Sequence, residues 1–258
     1  MSSGRAVDDR EAATHVSPLA PPSLSSVASI GRFAASLARV AALTYLIGQM
    51  IEVAGILPTP WSGIAVYAPC LLMAMPFMVA MTALHYQTPP AYRFWSGVAV
   101  LIAAMYATFA TLEYVVQLTV VLPYDSSNAI INAASPHTMF WSVDAVSYIL
   151  LGLSMFFAYR LFWRPGIERW TRRFFLANAA VTPLLCVAYF YPSVSTALLI
   201  LASPWAITGP GALLCLALYF SSLVRSSRPR AAGLSGPANT IARRLRAKRF
   251  GFRRRSQS

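Results

Sequence analysis

Charge is the scarcest property of this chain. Of its 258 residues only 11% are Asp, Glu, Lys or Arg, 57% are apolar, and the mean hydropathy is +0.56. That balance excludes an ordinary soluble domain and predicts a membrane protein. Cysteine is scarce as well: Cys70, Cys186 and Cys215 stand far apart in apolar runs, with no CxxC or Cys/His spacing. Their placement excludes a disulfide framework and points to reduced, buried thiols. His15, His85 and His137 never pair at i, i+4, so neither haem nor a metal site is expected. HExxH, GxSxG, P-loop and GxGxxG signatures are all missing. The expected class is therefore not an enzyme, and no cofactor is expected. No repeat appears at solenoid periods, and the two halves show no duplication.

What the chain does hold is a series of uncharged apolar runs bounded by turn residues or arginines. They fall at Leu37–Leu57, Ile64–Leu84, Phe94–Leu122, Thr138–Phe162, Phe174–Tyr191 and a last stretch ending at Val224. At about 20 residues per crossing, residues 31–224 predict an all-α fold, a polytopic transmembrane helical bundle of six spans. From Phe174 to Val224 there is no charge, and the turn between the last two crossings is expected near Tyr191-Pro192-Ser193. Arginine placement supports an even count. With the N-terminus inside, the inner segments hold Arg5, Arg10, Arg32 and Arg39, then Arg93, then Arg160, Arg164, Arg169, Arg172 and Arg173, and finally eleven cations from Arg225 to Arg255. The outer loops hold none of the 21 basic residues. The positive-inside rule then predicts both termini in the cytoplasm.

Two polar flanks frame this domain. Residues 1–30, with the Pro/Ser-rich VSPLAPPSLSS, read as a disordered cytoplasmic tail rather than a cleavable signal peptide. Residues 225–258 read as a basic cytoplasmic tail. Its end, IARRLRAKRFGFRRRSQS, carries Arg243, Arg244, Arg246, Lys248, Arg249, Arg253, Arg254 and Arg255, interleaved with Ile241, Leu245, Phe250 and Phe252. Beside a bilayer, cations at this density are drawn to anionic lipid headgroups at about 1 kcal/mol each. A protein partner is the alternative, and nucleic acid is not the expected one.

Three of the eight acidic residues lie inside predicted spans: Glu52, Glu113 and Asp144. At the centre of a lipid-facing helix each would cost about 2.5–3.5 kcal/mol, so they are expected to face the bundle interior. The helical rise puts all of them within about 14 Å of the outer boundary, in a slab about 6 Å thick. Each has company at helical spacing: Tyr45 and Gln49 with Glu52, Tyr106 and Gln117 with Glu113, and Trp141, Ser147 and Tyr148 with Asp144. No basic side chain is placed to neutralise them. This predicts one polar layer whose ligand- or ion-binding candidates are Gln49, Glu52, Glu113, Gln117, Asp144 and Tyr148. Structural hydrogen-bonded clamps and a proton relay are the competing readings of the same residues. Within the last apolar region, Ser203-Pro204-Trp205-Ala206-Ile207-Thr208-Gly209-Pro210-Gly211 predicts a kink or a non-helical turn.

The stretches EYVVQLTVV, PHTMFWSVDAVSYILLGLSMFFAYRLF and RRFFLANAAVTPLL together resemble uncharacterised six-span bacterial integral membrane proteins, hypothetical proteins of unknown function. The resemblance covers about half the chain. It implies a multi-pass protein of the bacterial inner membrane and supplies no reaction, substrate or catalytic residue. Two functional expectations follow from the residues themselves. One is binding or transport of a proton, cation or small polar solute at the outer-leaflet polar layer. The other is a membrane-embedded sensor or assembly partner, with the polar layer as structural clamps and the basic tail as its contact.

Overall fold

Ser23 opens the first helix. Its hydroxyl accepts a hydrogen bond from the Ser26 N–H at 3.2 Å, satisfying one of the donors that a helix start leaves bare. In the computed structural model, which describes residues 22–124, 131–132, 136–192 and 195–227, this cap starts α1 at Leu24 and the helix runs to Val53. Residues 24–30, expected in the polar tail, are therefore helix: a favourable cap and Ala/Ser-rich turns extend α1 beyond its most apolar stretch. The early start also moves Arg39. Expected at the flank of the first span, it sits half-buried about 22 Å into α1. The basic cluster Arg243, Arg244, Arg246, Lys248, Arg249, Arg253, Arg254 and Arg255, and most of the N-terminal tail, lie outside the described residues.

Gly55 closes the same helix. Its φ of +65° is the left-handed conformation, and the Ile56 N–H bonds the Ile51 carbonyl at 3.1 Å while the Gly55 N–H bonds that of Glu52 at 3.0 Å. This paired reversal is a Schellman motif, which stops α1 and satisfies its last carbonyls. Six further helices follow: α2 (Trp61–Gln87), α3 (Arg93–Val116), α4 (Met139–Ala158), α5 (Ile167–Phe190), the short α6 (Thr196–Ala202) and α7 (Trp205–Ser227). α3 is prolonged to Tyr124 through a π-helical stretch at Gln117–Val121. Thr138 caps α4 and Ser195 caps α6, each hydroxyl accepting from the backbone N–H three residues on. The turn after α5 falls at Tyr191, where the proline spacing predicts it.

Among the described residues, six helical segments are long and apolar enough to cross a membrane. Their side chains are sorted as lipid demands. Leu, Ile, Phe and Met such as Ile30, Phe33, Ile47, Leu101, Met105 and Ile207 are exposed, while the interfaces are lined by Ala28, Ala34, Ala35, Ala38, Ala41 and Ala42 of α1 and their like. Small residues let helix backbones approach closely, so dispersion contacts replace the hydrophobic drive that lipid removes. Gly48 shows how tight this is, since a Cβ there would overlap the backbone carbonyl of Ala65 on α2.

The spans form a ring in chain order. Each packs chiefly on the one before and the one after it, α1 to α2 to α3 to α4 to α5 to α7, and α7 returns to α1. Near the start of α1, Gln87 at the end of α2 donates to the Leu24 carbonyl at 2.6 Å, and Gly31 lies against Phe220 near the end of α7. The arginine-bearing turns at residues 88–93 and 160–167 belong to this end. The opposite end, with residues 54–60, 136–138 and 191–192, has no arginine among the described residues. The predicted break after α6 is real but smaller than its composition implies: the chain turns at Ser203–Pro204, and α7 continues unbroken through Gly209-Pro210-Gly211. Pro204 needs no N–H at a helix start, and Pro210 forgoes only one bond of the ladder.

Candidate functional site

Toward the arginine-free end, the ring encloses a cavity of about 560 Å³. Every span contributes to its wall. α1 brings Tyr45, Gln49 and Glu52, α2 brings Tyr67 and Cys70, and α3 brings Glu113 and Tyr114. α4 adds Trp141, Asp144 and Tyr148, α5 adds Leu185 and Tyr189, and Trp205 comes from α7. On α1 the spacing i, i+4, i+7 puts three polar side chains on one stripe. They bond in sequence: the Tyr45 hydroxyl donates to Gln49 Oε1 at 3.0 Å, and Gln49 Nε2 donates to Glu52 Oε2 at 2.9 Å.

Asp144 is the tie between three helices. Its Oδ1 accepts from the Tyr114 hydroxyl of α3 at 2.8 Å, and its Oδ2 accepts from the Tyr189 hydroxyl of α5. Tyr189 is itself positioned by Trp141, whose Nε1 donates to the Tyr189 carbonyl at 2.8 Å and whose ring packs on the Tyr189 ring. Two phenolic donors on two oxygens are the complement of an ionised carboxylate, an acceptor-only group.

Glu113 is the opposite case. It is 0% exposed, and neither carboxyl oxygen has a hydrogen-bond partner among the described residues. Its carboxyl and that of Asp144 are close enough to interact directly, and the described lining of the cavity holds no Lys, Arg or His. A buried carboxylate without donor or counter-charge is costly, so Glu113 calls for a proton or a cation. The lining also leaves one donor open: the Trp205 indole N–H is buried and has no acceptor among the described residues.

Of the residues the sequence singles out, Gln49, Glu52, Glu113, Asp144 and Tyr148 share this cavity and Gln117 does not. Gln117 is fully buried where the π-helical stretch begins, and its Nε2 donates to the Ile131 carbonyl at 2.6 Å. One turn beyond Glu113, it is turned toward Ile131 rather than into the cavity. Glu52 lies at the end of its helix rather than inside the span. The Gly55 reversal ends α1 one residue after it, leaving Glu52 exposed at the cavity mouth beside Met50 and Val53. The three acids thus meet at one cavity, Glu113 buried, Asp144 half-buried and Glu52 exposed at its mouth. His137 is tied elsewhere: its Nε2 pairs with the Pro192 carbonyl at 3.0 Å.

The sequence reading missed the aromatic wall. Tyr67, Tyr114, Tyr189 and Trp205 carry no charge and follow no motif, and tyrosine and tryptophan are common in any membrane protein. The one usable signal was Tyr114 following Glu113. Asn178, also fully buried, forms a separate contact, accepting from the Thr208 hydroxyl at 3.2 Å between α5 and α7. Comparison of the chain with protein-family models, with curated proteins and with solved structures finds no match.

Proposed function

We propose that this is a multi-pass protein of the bacterial inner membrane, with both termini in the cytoplasm, that binds a proton, cation or small polar solute in the cavity as a step in its transport. No enzymatic step is part of this reading. One observation carries it: Glu113 is buried on a cavity shared with Asp144 and Glu52, has no donor, and faces no basic side chain among the described lining. Intramembrane acids in this state belong to ion and solute pathways more readily than to packing. The segregation of arginine supports this orientation and, with it, a cavity on the periplasmic side.

The test is thermal unfolding of the detergent-solubilised protein across pH and in the presence of sodium, potassium and organic cations. A bound cation competes with a proton at Glu113, so cation-dependent stabilisation is expected to fade as pH falls. Glu113→Gln is expected to abolish it and leave the protein folded. A profile that is flat across pH and every cation would remove the proposal.

The second reading, structural clamps in a sensor or assembly partner, has one observation in its favour: Asp144 accepts from two helices at once. It accounts for Asp144 and leaves Glu113 without a purpose. We therefore assign the two acids different work: Asp144 holds helices together as well as carrying charge, and Glu113 holds charge without a structural bond of that kind.

A further inference from the structure

We infer that the occupant of the cavity is a small organic monocation of the methylated-ammonium or protonated-amine class, received by aromatic ring faces and balanced by the Asp144 and Glu113 carboxyls. This rests on the cavity-binding reading and narrows it.

The wall is the first argument. Tyr45, Tyr67, Tyr114, Tyr148, Tyr189 and Trp205 all line the cavity, drawn from six helices. Trp205 stands nearly perpendicular to Tyr148, at 89° and 5.1 Å, and to Tyr45, at 87° and 5.7 Å. Tyr67 lies against Tyr114 at 6.1 Å with an angle of 28° between planes. Rings meeting at right angles build a box, and the faces of such a box attract a weakly hydrated cation through the ring quadrupole. The Tyr114 and Tyr189 hydroxyls donate to Asp144, which draws the carboxylate's charge to the rings on either side of it.

The polar groups argue against a bare metal ion. Both Asp144 oxygens are already bonded to tyrosine, and Glu52 is bonded to Gln49 at the mouth. Among the described residues, no three His, Cys, Asp or Glu side chains come together as a metal site. A hard cation stripped of water needs about six or more oxygen ligands, whereas an alkylammonium needs apolar contact around its methyl groups and a diffuse negative charge nearby. The cavity offers the second set. Its size agrees: about 560 Å³ falls within the roughly 300–1,000 Å³ of small-molecule sites. The Trp205 N–H, without an acceptor among the described residues, fits a ligand that carries an oxygen acceptor close to its cationic head.

The experiment uses the full chain in detergent micelles and isothermal titration with five probes: tetramethylammonium, choline, sodium, potassium, and 3,3-dimethylbutan-1-ol, the neutral carbon isostere of choline. Choline or tetramethylammonium is expected to bind saturably, and the isostere to bind at least about tenfold more weakly. Tyr67→Leu is expected to lower organic-cation affinity about tenfold while Tyr67→Phe, which keeps the ring, retains it. If Tyr67→Leu does not fold, the comparison of choline with its isostere on the unaltered protein decides. Equal binding of choline and the isostere overturns the inference. Stabilisation by sodium, potassium or protons alone, lost in Glu113→Gln, overturns it too but leaves the broader proposal standing. No response to any probe or to pH overturns both.

Discussion

Replacing Asp144 and replacing Glu113 are expected to affect stability differently. Asp144→Ala removes the acceptor for the Tyr114 and Tyr189 hydroxyls and cuts the hydrogen-bonded tie between α3, α4 and α5. Interhelical side-chain bonds in membranes contribute about 0.6 kcal/mol on average and up to about 1.7, so losing two costs about 1–3 kcal/mol. Glu113 takes no donor among the described residues and meets the Asp144 carboxyl instead. An unsatisfied buried polar group costs about 1–3 kcal/mol, and Glu113→Met, of similar volume and apolar, is expected to be neutral or to stabilise by up to that amount. Reversible unfolding in mixed micelles with increasing SDS measures both variants on one scale. If Glu113→Met destabilises the protein as much as Asp144→Ala, Glu113 is a structural clamp and the division of labour between the acids is wrong.

Two other substitutions probe the frame around the site. Gly48→Ala pushes a methyl group into the Ala65 backbone carbonyl, which no side-chain rotation relieves; the expected loss is about 1–3 kcal/mol, measured in the same SDS titration. An unchanged midpoint would show that α1 and α2 are packed less tightly than described. Separately, a peptide of residues 241–258 is expected to bind vesicles containing anionic lipid and to be released by salt, because its eight cations contribute about 1 kcal/mol each near such a surface. Equal binding to neutral vesicles would assign the tail to apolar contact instead.

Much of this architecture can be read along the chain. An apolar run long enough to cross a bilayer has few alternatives to a helix, because lipid leaves no other partner for its backbone. The six spans and the turn at Tyr191 follow from that. The convergence of Glu52, Glu113 and Asp144 on one cavity was legible for a related reason, since ionisable side chains in a membrane turn away from lipid. Boundaries were harder. The Ser23 cap and the Gly55 reversal act through single hydrogen bonds and one dihedral, and these set the start of α1 and the exposure of Glu52 at its end.

What the sequence determined by itself is the class: scarce charge and six apolar runs call for a helical bundle suited to a membrane, with its span acids turned toward a shared cavity. Tertiary structure alone decided which side chains face one another across the ring. That α7 returns to α1, that two tyrosines from different helices converge on Asp144, and that Glu113 is left without a donor among the described residues all depend on the rotation of each helix about its own axis. Rotation is set by close packing between small residues such as Gly48 and its neighbours, which depends on the shapes of two surfaces together and leaves no pattern in either strand of sequence read singly.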